Sequence, residues 1–317
     1  MKAPRNDAAP LSKTLHNAPV SSLPEPPARR DRGRLSGTDL ARLAHQWRRD
    51  IIELTWHSGT GSSHLGGELS LVEILAVLYG RCLRLDPSEP TWADRDRFVL
   101  SKGHASAAMY VAMAWRGFFP RERLFDQFNV AGGFLQEHAN MECPGVEVPT
   151  GSLGMGLSVG AGMAWGARRL AGGGRPVFNT YVVLSDGDCQ EGQTWEAAMA
   201  AAHYRLDRLV AIVDYNRMVV SGPLERSVNL EPFRPKWEAF GWRVWEVDGH
   251  DVDALGGVLD QASDPESAPG QPRVVIARTL KGKGVSFIEG DNSWHAGHLT
   301  ADLYSRAMAE LSEGAER

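Results

Sequence analysis

Two short polar segments, each directly after an apolar run, carry residue types that bind a metal and a phosphate. Asp186 and Gly187 follow the apolar residues 181–184, and Asn216 follows the apolar residues 209–213, with a helical Ala- and Met-rich stretch between them. Strand, helix and strand in this order place both polar ends at one edge of a parallel sheet, where α/β proteins bind ligands. Carboxylate and amide oxygens, together with phosphate oxygens, suit octahedral Mg²⁺, and a glycine lets a diphosphate approach the backbone. The sequence therefore predicts a metal–diphosphate site at this edge.

Four of the ten histidines lie in polar loops rather than on apolar helix faces. Imidazole can hydrogen-bond phosphate or hydroxyl oxygens and can move protons near neutral pH. Any one of them alone is explained equally well as a surface or capping residue, but four in one chain with the predicted metal site favour a role in catalysis. The four are His64, His104, His138 and His250.

The alternation of apolar strands and helices predicts an α/β fold, a parallel sheet with helices on both faces. Strands are predicted at residues 97–100, 181–185, 209–214, 243–247 and 273–279. Helices are predicted at residues 38–56, 70–81, 105–115, 152–170 and 194–204, and from residue 301 onwards. Because no internal repeat or linker interrupts this pattern, we expect one domain over residues 37–317.

The composition limits the classes of partner. A net charge of −5 offers no electrostatic basis for binding nucleic acid. No apolar run reaches the roughly 18 residues that cross a bilayer, so we expect no membrane partner. The three cysteines are far apart in the sequence and do not form a Cys-x-x-Cys motif. This pattern favours a reducing compartment, and we expect the cytoplasm.

Residues 1–36 differ in composition from the remainder of the chain. They contain six prolines and seven Lys or Arg against three acidic residues. This composition predicts a disordered Pro/Arg-rich tail, because it provides little apolar surface to bury. An Arg-rich, acid-poor targeting sequence is the alternative, and the apolar core of a secretory signal is missing.

Several motifs, in order along the chain, resemble those of the transketolase family. They include Asp94-Arg95-Asp96-Arg97-Phe98-Val99-Leu100 followed by Ser101-Lys102-Gly103-His104, the loop Thr150-Gly151-Ser152-Leu153-Gly154, and Asp248-Gly249-His250-Asp251. Lys281-Gly282-Lys283-Gly284 and Trp294-His295 also match. The resemblance spans about residues 38–300 and implies the thiamine diphosphate-binding fold of the family's diphosphate-binding domain.

Other motifs of the chain match the family pattern less fully. Ser185 stands where the family has the first Gly of its Gly-Asp-Gly, and Arg217 follows the Asn where Gly is usual. Ser-Ser-His-Leu-Gly replaces Ser-Gly-His-Pro-Gly around His64, and Glu-His-Ala-Asn around His138 is a looser match. These departures bear on loop geometry, whereas the ligand-bearing Asp186 and Asn216 are kept.

The resemblance implies a role for each matching residue. The implied metal ligands are Asp186, Asn216 and the carbonyl of Met218, for Mg²⁺ with Ca²⁺ or Mn²⁺ as substitutes. The implied contacts to thiamine diphosphate are His104, Gly151, Leu153, Gly187, Glu191 and His250, with Glu191 in a carboxylate network that crosses the subunit interface. The implied catalytic residues, which contact the sugar or the thiazolium ring, are His64, His104, His138 and His250. Lys281 and Lys283 are left outside the site, because a solvated loop explains them equally well.

The chain matches only the first part of a full-length transketolase, which is about twice as long. In the family, the carboxylate that contacts the aminopyrimidine lies on the following pyrimidine-binding domain. The resemblance therefore implies the N-terminal subunit of a split transketolase, active only with a separate pyrimidine-domain (C-terminal) subunit, in a heterotetramer. Together they would transfer a two-carbon ketol unit between sugar phosphates or related sugars.

Two alternatives stay open from the sequence. The chain could be the diphosphate-binding half of another thiamine enzyme, a deoxyxylulose-phosphate synthase or a 2-oxoacid dehydrogenase, although the histidines favour sugar substrates. It could also be a binding subunit without catalytic activity. A dinucleotide-binding protein is disfavoured, since residues 151–156 do not form G-x-G-x-x-G after a strand.

Overall fold

The secondary structure comes from a computed structural model that describes residues 23–58, 60–172 and 178–313. The helices are α1 Gly37–His57, α2 Leu65–Ser70, α3 Val72–Val77, α4 Ser106–Arg116, α5 Glu122–Gln127, α6 Met155–Leu170, α7 Gly192–His203, α8 Phe233–Ala239, α9 Val252–Ser263 and α10 Ala301–Glu313. The strands are β1 Ser62–Ser63, β2 Arg97–Leu100, β3 Thr180–Ser185, β4 Leu209–Tyr215, β5 Met218–Val219, β6 Gly222–Pro223, β7 Arg243–Asp248, β8 Arg273–Arg278 and β9 Gly297–His298.

A five-stranded parallel sheet in the order β2-β3-β4-β8-β7 forms the centre of the fold. Every residue of β3 and β4 is buried, as expected for central strands that have helices on both faces. The α/β prediction and all five predicted strands are confirmed. Because β3 and β4 are neighbours, their carboxyl ends lie side by side at one edge of the sheet.

The two faces of the sheet contribute to two separate apolar cores. Tyr181 and Val183 of β3 pack with α1, α3, α4 and α9 on one face. Val182 and Leu184 pack with α6, α7 and α8 on the other face. Each fully buried aliphatic side chain contributes roughly 1.5–3 kcal/mol, so these layers hold the sheet rigid beneath the loops at its carboxyl edge.

Two predicted helices differ from the structure. The helix predicted at residues 152–170 begins only at Met155, because Gly154 adopts a left-handed conformation with φ of +85°. The helix predicted at residues 70–81 is divided between α2, α3 and a π-helical turn, Leu78–Cys82. The later start of α6 leaves residues 150–154 as a loop beside the sheet edge.

The chain before α1 contacts the folded domain, contrary to the predicted disordered tail. The Trp115 indole donates a hydrogen bond to the carbonyl of Pro24 at 3.2 Å. The buried Arg116 guanidinium donates to the carbonyls of Pro27 and Asp31 at 2.6 and 3.2 Å. The prediction is therefore wrong for residues 23–36, because backbone carbonyls and the side chains of Leu23 and Leu35, which pack against the apolar core, provide contacts. Residues 1–22 lie outside the described residues.

Cys82, Cys143 and Cys189 are free, buried thiols. Within the described ranges, none of the helices combines the length and the apolar character that a bilayer crossing requires.

The contacts of Arg116 predict that residues 23–34 stabilise the domain. A chain that begins at residue 35 should unfold with a free energy about 2–3 kcal/mol below that of a chain beginning at residue 23, since the buried guanidinium loses two acceptors. Urea denaturation of the two truncated chains measures the difference. Equal midpoints would show that these contacts do not contribute to stability.

Candidate functional site

A cavity of about 410 Å³ opens at the carboxyl edge of β3 and β4. Ten of the eleven predicted site residues line it, and the exception is His250. The ten are His64, His104, His138, Gly151, Leu153, Asp186, Gly187, Glu191, Asn216 and Met218. The structure thus brings together residues that are up to 154 positions apart in the sequence (from 64 to 218).

The turn after β3 is held by the buried carboxylate of Asp188. This carboxylate accepts hydrogen bonds from the backbone N–H and hydroxyl of Ser185 at 2.7 and 2.8 Å. It also accepts from the Ser101 hydroxyl at 2.5 Å and from the Gly154 N–H at 2.8 Å. Asp188 therefore joins three loops around the cavity. Ser185, a departure from the family pattern, takes part in this network through its own hydroxyl.

The Asp186 carboxylate at the cavity wall forms no ion pair with the described residues, and the nearest ammonium groups belong to Lys102 and Lys281. The residue is 1% exposed; Oδ1 accepts from the Gly187 N–H at 3.0 Å, whereas Oδ2 has no hydrogen-bond partner in the described structure. Burial raises the pKa of Asp186 to about 7, and the nearby Asp214 carboxylate contributes to the same direction. A buried carboxylate next to a second one is costly without a cation.

Asn216 and Met218 flank a tight turn after β4. The Asn216 side-chain oxygen accepts a hydrogen bond from the Met218 N–H at 3.0 Å. Between them, Arg217 adopts φ of +61°, the left-handed region that favours glycine. A conformation that favours glycine, the residue usual here in the family, is therefore adopted by an arginine whose side chain forms an ion pair with Glu225.

Three of the four predicted histidines form a cluster, with a fourth member that the sequence analysis did not assign to the site. The His64 ring lies 5.2, 5.9 and 5.4 Å, centroid to centroid, from the rings of His104, His138 and His295. Burial lowers the pKa of His104 and His138, and it lowers the pKa of His295 to about 4. These three imidazoles are neutral near pH 7, so each can donate one hydrogen bond and accept another.

Two lysines in the cavity wall were also missed as site residues. Lys102 is buried, donates to the carbonyl of Gly67 at 3.0 Å and forms an ion pair with Asp214. Lys281 is buried as well, with Nζ at 3.1 Å from the Asn292 side-chain oxygen and burial lowering its pKa to about 8. The matching Lys-Gly-Lys-Gly and Trp-His motifs were the signal that could have identified Lys281 and His295.

His250 is not among the residues that line the cavity, which corrects its predicted contact with cofactor and substrate. It follows β7, the edge strand, which is separated from β4 by β8. With strands about 4.8 Å apart, this places the end of β7 roughly 10 Å from the end of β4. Both ring nitrogens already have protein partners: Nδ1 lies 3.0 Å from the Glu73 carboxylate, and Nε2 accepts from the Leu280 N–H at 2.8 Å.

Two glycines allow backbone and side chains to approach closely at the cavity. Gly151 has φ of +143°, and a Cβ there would lie 2.6 Å from the His138 ring. A Cβ on Gly187 would lie 3.2 Å from Leu153 Cδ1. These positions keep one wall of the cavity accessible to a ligand that contacts the backbone.

Comparison with known proteins assigns this arrangement to a family. The model of the transketolase thiamine diphosphate-binding domain matches residues 50–312. The chain belongs to the transketolase family. It shares its fold with the transketolases of Campylobacter jejuni (TM-score 0.78, 30% identity) and Pichia stipitis (TM-score 0.79, 28% identity). The alignments cover 86% and 87% of this chain but only 42% and 41% of those chains.

Other relatives of this transketolase chain are similar over nearly their whole length. The 6-deoxy-6-sulfo-D-fructose transketolase subunit of Clostridium sp. is 43% identical over 87% of this chain and 98% of its own. The apulose-4-phosphate transketolase subunit of Phocaeicola vulgatus is 41% identical over 85% and 92%, respectively. The chain is therefore the N-terminal, thiamine diphosphate-binding subunit of a split transketolase, as the motifs predicted. These relatives favour this assignment over the alternative that the chain is the diphosphate-binding half of another thiamine enzyme.

The left-handed conformation of Arg217 predicts a preference for glycine at this position. Arg217→Gly and Arg217→Ala both remove the ion pair with Glu225, but only alanine keeps the strain of a positive φ. We expect the alanine variant to be about 1 kcal/mol less stable than the glycine variant. Chemical denaturation of the two variants measures this difference, and a more stable alanine variant would contradict it.

Proposed function

We propose that the cavity binds thiamine diphosphate through Mg²⁺ held by Asp186, Asn216 and the carbonyl of Met218. The observation that carries this proposal is the buried Asp186 Oδ2, which has no partner in the described structure and lies beside the negative charge of Asp214. A divalent cation supplies the missing positive charge and suits oxygen ligands; Mn²⁺ or Ca²⁺ can take the same ligands. The described residues contain no group of three His, Cys, Asp or Glu side chains placed to hold a metal by themselves. Phosphate oxygens would therefore complete the coordination.

The other cavity residues fit the remaining parts of this cofactor. Gly151 and Gly187 leave the backbone accessible to the diphosphate, and the buried Lys281 adds positive charge beside it. Leu153 offers an apolar contact, and Glu191 an exposed carboxylate at the rim. When bound, thiamine diphosphate supplies the ring that stabilises a carbanion.

The histidine cluster suits a polyhydroxylated substrate. Neutral imidazoles can donate to one hydroxyl and accept from another, and they can take up or release a proton as charge develops on an oxygen. The rings of His104, His138 and His295 all lie within about 6 Å of the His64 ring, so the cluster provides several such contacts. We infer that they bind the hydroxyls of a ketose and of the aldose that accepts its two-carbon ketol unit.

The relatives suggest a general chemical class for the sugar substrate. The two relatives named above act on a 6-sulfo sugar and a 4-phosphate sugar, both with an anionic terminal group. We propose the same class of substrate here, sugar phosphates or related anionic sugars. The buried free thiols favour a reducing compartment. We therefore place the reaction in the cytoplasm.

A second subunit would complete the active site. The chain corresponds to about two-fifths of a full-length transketolase, and the Glu191 carboxylate has no hydrogen-bond or ion-pair partner within the described part of this chain. Exposed apolar side chains, among them Met155, Met199 and Val228, lie on the surface. We propose that a separate pyrimidine-domain subunit covers the cavity and that two such pairs form a heterotetramer.

Asp186→Asn tests the metal site. Removal of an unpaired buried charge should leave the stability of the cofactor-free protein equal to or above that of the wild type. The Mg²⁺-dependent affinity for thiamine diphosphate should fall at least about tenfold, because one anionic ligand is lost. Titration calorimetry with and without Mg²⁺ measures the affinity, and thermal unfolding measures the stability.

Asp126→Asn makes the same chemical change at an exposed carboxylate that forms an ion pair with Arg123. This control should leave cofactor affinity at the wild-type value. Unchanged affinity in Asp186→Asn as well would rule out Asp186 as a metal ligand.

The partner requirement predicts an inactive isolated chain. Purified alone with thiamine diphosphate, Mg²⁺ and a pair of sugar phosphates, it should show negligible ketol transfer, and addition of a pyrimidine-domain subunit should start turnover. A coupled assay of aldose release follows both states. Robust turnover by the chain alone would contradict the split active site.

A further inference from the structure

A buried network of three charged or titratable side chains lies beside the cavity and outside it. Arg48 Nη2 donates to the Glu73 carboxylate, 2.6 Å from Oε1 and 2.7 Å from Oε2. His250 Nδ1 lies 3.0 Å from the same Glu73 Oε2. Arg48 and Glu73 are buried, so their charges interact in a region of low dielectric. The network joins α1, α3 and the loop after β7.

Both ends of this network hold the loop formed by residues 280–283. His250 Nε2 accepts a hydrogen bond from the Leu280 N–H at 2.8 Å. Arg48 Nε donates to the Lys283 carbonyl at 2.8 Å. Because Nε2 is the acceptor, the proton of the neutral imidazole is on Nδ1, which donates to Glu73. Each ring nitrogen of His250 therefore has a defined role: Nδ1 donates to Glu73 and Nε2 accepts from Leu280.

The loop after β7 can approach this closely because residue 249 is glycine. The Gly249 N–H donates to the Arg278 carbonyl at 2.7 Å. A Cβ at this position would lie 2.5 Å from Thr279 Cγ2. The Asp-Gly-His-Asp motif thus brings the His250 ring against the start of the 280–283 loop.

Lys281 lies between the two contacts and points into the cavity wall. Its Nζ is 3.1 Å from the Asn292 side-chain oxygen and 3.3 Å from His295 Nδ1. Burial lowers the pKa of Lys281, which reflects the cost of keeping an ammonium group away from solvent. His250 and Arg48 hold the backbone on either side of Lys281, and the Lys281 carbonyl itself accepts a hydrogen bond from the Gly290 N–H at 2.9 Å.

We propose that His250 is a positioning residue that, together with Glu73 and Arg48, fixes residues 280–283 so that Lys281 faces the diphosphate of the bound cofactor. This inference rests on the proposed function of the cavity. It gives the Asp-Gly-His-Asp motif a role through the loop rather than through contact with the substrate. Of the two contacts that His250 makes, the one at Nε2 matters more, because it is the one that reaches the loop.

Two substitutions of His250 separate its two nitrogens. The side-chain amide of Gln reaches about as far as Nε2, so His250→Gln can still accept from the Leu280 N–H. The amide of Asn reaches only about as far as Nδ1, so His250→Asn keeps the contact with Glu73 and loses the loop. With the partner subunit present, we expect the Kd for thiamine diphosphate with Mg²⁺ to rise about 5–10-fold in His250→Asn and less than about twofold in His250→Gln.

A double-mutant cycle with Lys281→Met tests whether the effect passes through the lysine. If His250 acts by holding Lys281, His250→Asn should add little to the affinity loss of Lys281→Met. Additive losses, or equal Kd values for His250→Asn and the wild type, would overturn the inference. Equal losses in the Asn and Gln variants would also overturn it, since they would indicate a general structural role. A wild-type complex that does not bind the cofactor would refute the proposed function itself.

Discussion

The carboxylate of Asp188 is the constraint on which the geometry of the cavity depends. It accepts hydrogen bonds from Ser101, Gly154 and Ser185, and so joins the ends of β2 and β3 to the start of α6. Four hydrogen bonds satisfy this buried charge, whereas the loss of the carboxylate would leave buried donors from three loops without an acceptor. The positions of Lys102, His104, Gly151 and Asp186 all follow from these three loops.

The neighbouring strand end carries a second carboxylate with a different role. Asp214 accepts from Ser70 at 2.6 Å and pairs with Lys102 and Thr279, so its charge is compensated within the chain. Asp186, one strand away, forms no ion pair within the described structure, and its Oδ2 has no hydrogen-bond partner there. A protein that keeps a buried negative charge without a partner gives up stability at that position, which is the pattern expected of a ligand site. The contrast between these carboxylates locates the proposed metal more clearly than the motif does.

The sequence predicted those features that depend on local pattern. Apolar runs in the sequence located the five strands. The ends of those runs located the polar residues after β3 and β4 and the loops that contain His64, His104 and His138. The position of His250 could not be predicted, because it depends on the order of the strands in the sheet. His250 follows β7, which lies at an edge of the sheet. His295 enters the cluster through a contact with His64, 231 positions away (295 − 64). The contacts of residues 23–36 were missed because they depend on backbone carbonyls, which every residue has, and on two single leucines, Leu23 and Leu35.

In the proposed site, Asp186 and Asn216 hold a metal that binds the cofactor's diphosphate. Pulsed electron paramagnetic resonance on the complex loaded with Mn²⁺ and thiamine diphosphate tests it directly, since Mn²⁺ couples to phosphorus nuclei only when phosphate oxygens coordinate it. We predict ³¹P couplings in the wild-type complex and their loss in Asp186→Asn. Bound cofactor without ³¹P couplings, or couplings that persist unchanged in the variant, would contradict it.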